Sequence, residues 1–454
     1  MDIIIIGCGK VGLELAAQLS KENHNITVID KNDQLVKYAT ETYDIIGVAG
    51  HGETVDTLRE AGVSDAWMVI AVTDNDEINL ISCLLAKKLG ARHTIARVRR
   101  QKYSEEIRLI KDDLGLSMAV NPERETANEA ARILKFPSAI SIDTFAGGRI
   151  EMMSCTVREG MPVCGLALKD IPSHFNNKVL IGYIEREGRV FIPTGNDVLL
   201  AGDIIGVAAN PRSAAGFFEE LGIVSGRIRR VMIIGGGRIG YYLAKQLLDI
   251  KVHVTIIESD EKRAADLSEY LPSAVIICGD GSDRELLMSE GIENMDAICC
   301  LTGIDEENIM LSMYVSTLVP GIKTITKITR DNFEDMLQKL DIGSIVNPKK
   351  ITSGMISQYV RTRLNTHGNN VETLYHITGG RAEALEFNVR ETFAASGVPL
   401  SQLNIREGVL VCNINRGGNV IIPSGSDSMT VGDTVVIITT IEGLNDLNDI
   451  LEQE

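Results

Sequence analysis

The chain has 454 residues, of which 44% are hydrophobic and 24% are charged, so its length predicts about three domains of roughly 150 residues each. Its 45 basic and 62 acidic residues give a net charge of −17, which argues against a general nucleic-acid-binding protein but is compatible with docking onto a basic protein surface. No apolar stretch approaches the ~20 residues that cross a bilayer, and no secretory signal is expected before the first strand.

The first 121 residues alternate short apolar runs with helical stretches. The runs predict strands at residues 2–6, 26–30, 44–48, 67–72, 94–98 and 118–120, with helices between them that include residues 11–21 and 77–89. This alternation predicts an α/β fold with a doubly wound parallel sheet, a Rossmann domain spanning residues 1–121. A linking helix follows in 122–139; its turns are expected at 123–135 and its end at Pro137.

Residues 140–224 have a different pattern, which predicts a small strand-rich α+β domain. Glycine-containing turns separate short strands, and Arg186-Glu187-Gly188-Arg189 between two apolar runs predicts a β-hairpin. The same order of domains then recurs. We expect a second Rossmann domain at 228–347, a second linking helix at 348–366 and a second small domain at 370–454, with the two halves meeting at residues 225–227.

The recurrence is a tandem duplication, because matching motifs lie at a nearly constant distance. Asp30 corresponds to Glu258, an offset of 228, and Gly202-Asp203 corresponds to Gly432-Asp433, an offset of 230. Asn121-Pro122 corresponds to Asn347-Pro348 in the same way. An offset that stays near 230 over the whole half is typical of a repeat.

A glycine-rich turn follows the first strand of each predicted Rossmann domain. One G-x-G-x-x-G motif is a weak signal, but two copies, each followed 18 residues later by a carboxylate, are a strong one. In such turns the first glycine permits the bend, the second lets a pyrophosphate approach the backbone and the third lets the helix pack on the strand. The turn residues are Gly7, Cys8, Gly9, Lys10, Val11 and Gly12 in the first copy and Gly235, Gly236, Gly237, Arg238, Ile239 and Gly240 in the second.

The carboxylates Asp30 and Glu258 end the second strand of each copy. A carboxylate there accepts hydrogen bonds from both ribose hydroxyls and repels a 2′-phosphate, so NAD or an adenine nucleotide is favoured over NADP. Lys10 and Arg238 either add a cation near phosphate or are solvated surface charges. The alternative to nucleotide binding is a vestigial domain that keeps its glycines for packing alone.

Further candidates follow the later strands, at the edge of the sheet where ligands bind. His51 and Asp280 lie in the loop after the third strand, where a histidine is either a contact of the adenosine end or plain surface. Thr73, Asp74 and Thr302 follow the fourth strand. Near the end of the fifth strand, Arg97 corresponds to Lys327, and each cation pairs either with a phosphate or with a structural acid.

Nothing in the sequence indicates catalysis or a metal. The seven histidines form no recognisable catalytic constellation, and the usual motifs of hydrolases, P-loop proteins and zinc proteases are missing. Eight scattered cysteines form no C-x-x-C motif, so we expect buried thiols in a reducing cytoplasm and no metal site. A duplicated nucleotide-binding domain with a small companion suits a sensor better than an enzyme, although an NAD-dependent oxidoreductase stays the alternative that the glycine motif alone suggests.

The chain resembles the TrkA family, the cytosolic nucleotide-binding subunits of Trk-type bacterial potassium uptake systems, over nearly its whole length. The residues that carry this resemblance are short motifs of both domain types. They are Gly50-His51-Gly52, the run from Leu58 to Val63 before Asp65, Ala71-Val72-Thr73 with Glu77-Ile78-Asn79, Ile192-Pro193-Thr194-Gly195 with Ala201-Gly202-Asp203, and Ile422-Pro423 with Gly432-Asp433.

The resemblance implies Rossmann (RCK-N) and small (RCK-C) domains in alternation, and homo-oligomeric rings, with a tetramer favoured. It implies NAD(H), or ATP/ADP, bound at residues 7–11, Asp30, Thr73, Asp74 and Arg97, and at residues 235–239 and Glu258. Such a protein is cytoplasmic and peripheral on the inner face of the cell membrane, where it gates an integral-membrane potassium-translocating subunit. Because Glu258 and Lys327 replace an aspartate and an arginine, we expect the second site to bind weakly or to prefer another nucleotide. A regulator of another cation channel or antiporter is the remaining alternative.

Overall fold

The computed structural model describes the chain except residues 23, 136–141, 146–149, 224–227, 331–339, 341, 366–370, 378–380, 442, 445 and 453–454. By its contacts the chain divides into two compact units, each drawn from both halves of the sequence. One unit comprises Met1–Ala131 and Ile228–Ser357, and the other comprises Arg132–Arg227 and Gln358–Glu454. The first unit therefore holds both Rossmann domains and the second holds both small domains.

The first Rossmann domain is a six-stranded parallel sheet of order β3-β2-β1-β4-β5-β6. Its strands are β1 (Asp2–Ile6), β2 (Asn25–Asp30), β3 (Ile46–Ala49), β4 (Met68–Ala71), β5 (His93–Arg97) and β6 (Met118–Val120). Its helices are α1 (Lys10–Lys21), α2 (Asp33–Tyr43), α3 (Val55–Glu60), α4 (Asp76–Leu89), α5 (Gln101–Ile110) and α6 (Pro122–Lys135). The predicted doubly wound fold is confirmed, and the strand order reverses between β1 and β4, which opens a crevice there.

One predicted element end differs from the structure, and another lies outside the described residues. The third strand was expected to begin at residue 44 but begins at Ile46, because Asp44 adopts a left-handed conformation (φ 52) that ends α2 at Tyr43. The predicted stop of the linking helix at Pro137 lies outside the described residues, and helix α6 is described as far as Lys135.

The first small domain is a five-stranded antiparallel sheet of order β10-β9-β11-β8-β7. Its elements are β7 (Ile142–Phe145), β8 (Ile150–Thr156), β9 (Leu180–Arg186), β10 (Arg189–Phe191), β11 (Ile204–Ala209), α7 (Ile171–His174) and α8 (Pro211–Glu220). The predicted hairpin is confirmed: Glu187 and Gly188 form its two-residue turn, both with positive φ (52 and 79), as a hairpin of this length favours.

The second half repeats both architectures. The strands β12 (Arg230–Ile234), β13 (His253–Glu258), β14 (Val275–Cys278), β15 (Ala297–Cys300), β16 (Lys323–Lys327) and β17 (Ser344–Val346) form a sheet of order β14-β13-β12-β15-β16-β17. The helices are α9 (Arg238–Asp249), α10 (Glu261–Tyr270), α11 (Arg284–Ser289), α12 (Asp305–Leu318) and α13 (Pro348–Asn365). The second small sheet, of order β18-β19-β22-β20-β21, contains β18 (Val371–Ile377), β19 (Ala382–Asn388), β20 (Val409–Arg416), β21 (Asn419–Ile421) and β22 (Thr434–Thr439).

Like domains pack against each other within each unit. Between the Rossmann domains, Asn121 Nδ2 donates to the Tyr242 hydroxyl at 3.2 Å and Gln101 Nε2 donates to the Tyr241 hydroxyl at 2.8 Å. Between the small domains, one apolar cluster joins the two sheets, and its buried members include Met152, Tyr183, Ala208, Cys412, Val436 and Ile438. Each repeat therefore contributes one partner to a pair of like domains.

The cysteines are mostly buried, as the sequence predicted. All eight cysteines are free, and six are buried as expected, but the prediction is wrong for Cys278, which is exposed, and Cys164 is half-buried. Within the described ranges, no helix combines the length and the apolar character that crossing a membrane requires.

The repeated Gly-Asp motif of the small domains places a buried carboxylate against an arginine. Asp203, of which 1% is exposed, accepts hydrogen bonds at 2.7 Å from both Nε and Nη2 of Arg186. Asp433 accepts the corresponding bonds from Arg416, at 2.9 Å from Nε and 2.7 Å from Nη2. Burial opposes ionisation of Asp203, but the hydrogen bonds from Arg186 and from the Leu200 N–H outweigh it, so the pKa of the carboxyl falls below its ordinary value of 3.8.

The variant Arg186→Met is expected to lower the free energy of unfolding by about 2 kcal/mol at neutral pH, because a buried carboxylate loses its partner. Since the folded pKa of Asp203 is depressed, this stabilisation is present above pH 3.8 and is lost as the pH falls through the folded pKa. Calorimetric melting between pH 7 and pH 3 should therefore show the two proteins converging in acid. The control is Arg189→Met, an exposed arginine of the same hairpin; an equal loss there would contradict the prediction.

Candidate nucleotide-binding site

A cavity of ≈ 600 Å³ lies at the carboxyl edge of the first Rossmann sheet, beside the β1/β4 switch point. It brings together most of the residues that the sequence predicted for the first site. Those that line it are Gly7, Gly9, Lys10, Val11, Asp30, His51, Thr73, Asp74 and Arg97. Cys8 and Gly12 are not among its lining residues, and we refer to this cavity as the first cleft.

The glycines of the first turn have distinct physical roles. Gly7 has φ +105, and a Cβ atom there would lie 2.9 Å from the Thr73 backbone nitrogen. A Cβ atom at Gly12 would lie 1.8 Å from the Gly7 carbonyl oxygen, so only glycine permits this contact between α1 and the turn. A Cβ atom at Gly9 would meet nothing within 4 Å, and Gly9 is the N-cap of α1, which has no side-chain cap. The N–H groups of the first helical turn can therefore donate hydrogen bonds to an anion.

Asp30 closes the turn from the end of β2. Its Oδ2 accepts the Cys8 N–H at 2.7 Å, and its Oδ1 accepts the Asn32 N–H at 2.9 Å. A carboxylate offers about four lone-pair positions, so these bonds fix its orientation and leave capacity for ribose hydroxyls. Burial, and next the charge of Asp30, raise the pKa of the Cys8 thiol to about 12, which keeps this thiol neutral beside the carboxylate.

Asn79 organises the opposite wall. This residue belongs to the motif Glu77-Ile78-Asn79 but was not predicted as a site residue from the sequence. Its side chain is fully buried: Oδ1 accepts from the Thr73 N–H at 2.8 Å and the Thr73 hydroxyl at 2.7 Å, while Nδ2 donates to the carbonyls of Thr73 and Arg97. Asn79 thus ties the loop after β4 to the end of β5. Because this amide faces backbone groups rather than the cavity, it is a positioning residue.

Arg97 lies in the wall of the first cleft and donates from Nη2 to the Thr73 carbonyl oxygen. Burial is the main cause that lowers the pKa of its guanidinium, and the charge of Arg99 adds to this, while Glu123 and Asp76 oppose it. The buried Nε of Arg97 has no hydrogen-bond partner. A half-buried cation with donors to spare, placed on the wall of a cleft, suits a phosphate.

The second Rossmann domain also contributes to the first cleft. Thr329, Pro348 and Lys349 line it beside Arg99 and Glu123 of the first domain, and the Lys349 ammonium lies 2.9 Å from the carboxylate of Glu14 on α1. Sequence reasoning missed all of these side chains. The repeated Asn-Pro pair was the available signal, because it places residues 123 and 349 at the start of α6 and α13.

His51 also lines the first cleft, but it is largely exposed. Its ring Nδ1 lies 3.2 Å from Glu53 Oε1, and 63% of its side chain is accessible to solvent. The structure therefore brings His51 to the mouth of the cleft and gives it a local carboxylate partner.

The second glycine turn has the same backbone plan. Gly235 has φ +103, and Glu258 accepts the N–H groups of Gly236 and Asp260, both at 2.9 Å. Gly237 is the N-cap of α9 as Gly9 is of α1, and Ile239 lies in the first turn of α9 as Val11 does in α1. A Cβ atom at Gly240 would lie 2.4 Å from the Gly235 carbonyl oxygen.

The second wall also repeats the first. Asn308 accepts the Thr302 N–H at 2.8 Å, and Lys327 Nζ donates to the Thr302 carbonyl oxygen, as Arg97 donates to Thr73. Burial is the main cause that lowers the pKa of the Lys327 ammonium. Asp280 accepts the N–H and the hydroxyl of Ser282, which lower the pKa of its carboxyl.

One cation, Arg263, distinguishes the second turn from the first, because Arg238 has its counterpart in Lys10. Arg263 Nε donates to the Gly236 carbonyl oxygen at 2.9 Å, whereas the residue at the corresponding place in the first domain, 228 positions earlier, is Leu35. Arg238 lies 3.6 Å from the carboxylate of Glu123 in the first Rossmann domain. The second turn is therefore held from both sides by Glu258 and Arg263.

Fold and site together define a class: a protein with two Rossmann domains, a nucleotide-sized cleft, and two small antiparallel domains. Comparison with known families agrees. The TrkA-N domain matches residues 3–122 and 231–348, and the TrkA-C domain matches residues 152–222 and 384–452. The chain belongs to the TrkA family.

Relatives of known name span the whole chain. The Trk system potassium uptake protein TrkA homolog of Archaeoglobus fulgidus is 32% identical over 455 residues, which cover 99% of this chain and 100% of the relative. The Trk system potassium uptake protein TrkA of Vibrio alginolyticus is 31% identical, with 96% and 95% covered. Among solved structures, the GsuK RCK domain shares the fold, with a TM-score of 0.62 at 20% identity and coverage of 97% of this chain and 92% of that one.

Proposed function

We propose that the chain is a non-enzymatic, cytosolic regulatory subunit that binds NAD(H) or an adenine nucleotide and gates a membrane potassium uptake transporter. The observation that carries the proposal is the first cleft, where a glycine turn, the Asp30 carboxylate and the Arg97 guanidinium line one cavity. The names of the full-length relatives support potassium uptake as the process. A channel of the same fold, GsuK, has been solved bound to NAD and to ADP, which supports a nucleotide as the ligand.

The geometry supports regulation because the first cleft is built from two domains. A nucleotide that contacts Asp30 and Arg97 on one side also meets Lys349 and Thr329 of the other Rossmann domain. A ligand shifts a two-state protein only by its differential affinity for the two states, typically 1–3 kcal/mol per site. In a homo-oligomer, for which we favour a tetramer, several such sites act on one equilibrium.

We further propose that the second glycine turn binds a nucleotide more weakly than the first or prefers another nucleotide. The Arg263 guanidinium already donates to the Gly236 carbonyl oxygen, a bond that Leu35 cannot make at the corresponding place of the first domain. An incoming nucleotide would have to fit beside this guanidinium, whereas the bond between Glu258 and the Gly236 N–H has its counterpart in the first domain.

Reconstitution tests the proposal directly. We expect the purified chain to bind its potassium-translocating membrane subunit in proteoliposomes, and NADH or ATP to change the rate of rubidium uptake several-fold. The matched control is the same vesicle without the chain, in which nucleotides should have no effect. Uptake that is unaffected by the chain at every nucleotide concentration would refute the assignment. If the chain instead binds another cation channel or antiporter, the alternative of a regulator of that transporter is supported.

The competing oxidoreductase hypothesis has its own readout. Incubation of the protein with a molar excess of NADH and a panel of carbonyl compounds should leave the absorbance of NADH unchanged. Sustained NADH consumption that disappears when the glycine turn is altered would replace the regulatory proposal with an enzymatic one.

A further inference from the structure

The two small domains pack against each other through equivalent parts of their sheets. Strand β9 of the first sheet lies against β20 of the second, and these two strands occupy the same place in the repeat, at an offset of 230. Partly buried side chains of the cluster that they share also come in equivalent pairs, Val190 with Val420 and Ile192 with Ile422. Equivalent strands that meet in this way are arranged about a twofold axis, so each contact has a twin in which the two domains exchange places.

Gly182 on β9 lets a side chain of the other small domain approach its backbone. A Cβ atom at Gly182 would lie 2.5 Å from Cδ1 of Ile438 on β22 and 2.9 Å from Cε of Met152. The backbone itself does not require a glycine there, because Gly182 is a strand residue without a positive φ. The glycine is therefore explained by the close approach of Ile438, whose side chain is fully buried.

The twin of this contact is built from residues of different size. At the offset of 230, Cys412 corresponds to Gly182 and Ala208 corresponds to Ile438. Cys412 and Ala208 are both fully buried members of the apolar cluster that joins the two sheets. The hydrogen-bonded arginine–aspartate pairs of the two domains lie at the same offset, which fixes the register of this comparison. One contact therefore sets glycine against isoleucine, and its twin sets cysteine against alanine.

Neither small domain fits a copy of itself at these positions. Two first domains would set Gly182 against Ala208 at both contacts and would leave empty the space that the Ile438 side chain now fills. Two second domains would set Cys412 against Ile438 at both contacts, although a Cβ atom at the equivalent place already comes within 2.5 Å of the isoleucine. Voids and overpacking both cost stability, because protein interiors are close-packed.

The Rossmann domains show the same preference in their charges. Glu123 and Lys349 occupy equivalent places, each two residues after the asparagine of an Asn-Pro pair. The Lys349 ammonium lies 2.9 Å from Glu14, and Arg238 lies 3.6 Å from Glu123. Two first domains would set Glu123 against Glu14, and two second domains would bring Lys349 near Arg238. Because like charges at such distances repel, a separate interface also favours the unlike pair.

We propose that the paired faces of this chain are specific for the sister domain and reject a second copy of the same domain. The contacts that give this specificity in the small domains are Gly182 with Ile438 and Cys412 with Ala208. An oligomer of the chain would therefore contain only unlike pairs, with one first and one second domain in each. Because the first cleft takes lining residues from both Rossmann domains, unlike pairing also determines which residues complete that cleft.

Four double variants of the full chain test the proposal, because each like pair can be reproduced within one chain. Gly182→Cys/Ala208→Ile gives both small domains the residues of the second, and Cys412→Gly/Ile438→Ala gives both the residues of the first. In calorimetric melting, we expect the transition of the small domains to fall by about 6 °C or more in both variants. Hydrogen exchange in β9 and β20 should become faster in the same two variants.

The matched controls use the same single substitutions in complementary combinations. Gly182→Cys/Ile438→Ala and Cys412→Gly/Ala208→Ile each keep a larger residue against a smaller one at both contacts. These two variants should melt within about 3 °C of the unaltered chain. Should Gly182→Cys prevent folding in both variants that contain it, the comparison of the two variants that contain Cys412→Gly decides the question.

Two results would overturn the proposal: like-pair variants that melt with the unaltered chain, or controls that melt as low as the like-pair variants. The first would mean that the faces do not distinguish a sister domain from a copy, and the second that these positions tolerate no change of any kind. Melting is measured without nucleotide, whereas the proposed regulatory function is measured by uptake, so failure of one is distinguishable from failure of the other.

Discussion

Replacement of Asp30 by alanine is expected to weaken NADH binding to the first cleft by about 100-fold, equivalent to about 2.7 kcal/mol. Hydrogen bonds to a charged group contribute roughly 1.5–3 kcal/mol each, and the variant removes the acceptor of the ribose hydroxyls. It also frees the Cys8 and Asn32 N–H groups that Asp30 holds at 2.7 and 2.9 Å, so the glycine turn loses its anchor. Titration calorimetry measures the change.

Glu258→Ala is the matched control for this experiment, since it removes the corresponding carboxylate of the second turn. It should leave the strongest NADH-binding event unchanged. Asp30→Asn keeps the size of the side chain and removes its charge, so its affinity should lie between those of Asp30→Ala and the unaltered chain. If Asp30→Ala binds NADH with undiminished affinity, the dinucleotide does not bind in the first cleft.

Local pattern was enough to predict both parallel sheets and the glycine turns. Alternating apolar runs and helical stretches reflect the periodicity of each element, and the positions of Gly7 and Gly12 reflect steric limits within a few residues. The motif residues around Asp30 and Thr73 were predicted for the same reason, because parallel strands bring their carboxyl ends to one edge. The geometry places both of them on the wall of one cavity.

The pairing of like domains could not be predicted in this way. It depends on contacts such as Asn121 with Tyr242 and Gln246 with Asn128, whose partners are more than 100 positions apart. Such contacts arise from the complementarity of two folded surfaces and produce no periodic pattern in the sequence. For the same reason, Lys349 could not be predicted to line a cleft of the other Rossmann domain before the packing of the two domains was known.

The second turn shows how a duplicated sequence can diverge without losing its fold. The glycines and the carboxylate that shape the backbone are retained, while Leu35 corresponds to Arg263. This substitution changes a side chain of α2 or α10 and not a residue of either sheet. The repeat therefore predicted the fold of the second half, while side chains around its glycine turn were free to diverge.

The variant Asn79→Ala is expected to lower the free energy of unfolding of the first Rossmann domain by about 3–4 kcal/mol. Asn79 has no exposed surface and makes four hydrogen bonds, to the N–H, hydroxyl and carbonyl of Thr73 and to the carbonyl of Arg97. Each buried polar group that loses its partner costs about 1–3 kcal/mol. Hydrogen–deuterium exchange measures this loss of stability. The loop after β4 should exchange faster, because the Thr73 N–H loses its acceptor.

The same variant separates the roles of positioning and binding. Since Thr73 and Asp74 line the first cleft, loosening their loop should also weaken NADH binding, while the carboxylate side at Asp30 stays intact. Asn308→Ala removes the corresponding amide from the second domain, and it should accelerate exchange only in the loop after β15. Fast exchange in both loops from either substitution would mean that the two Rossmann domains unfold as one cooperative unit, which would make their shared cleft the most direct route for a nucleotide to act on both.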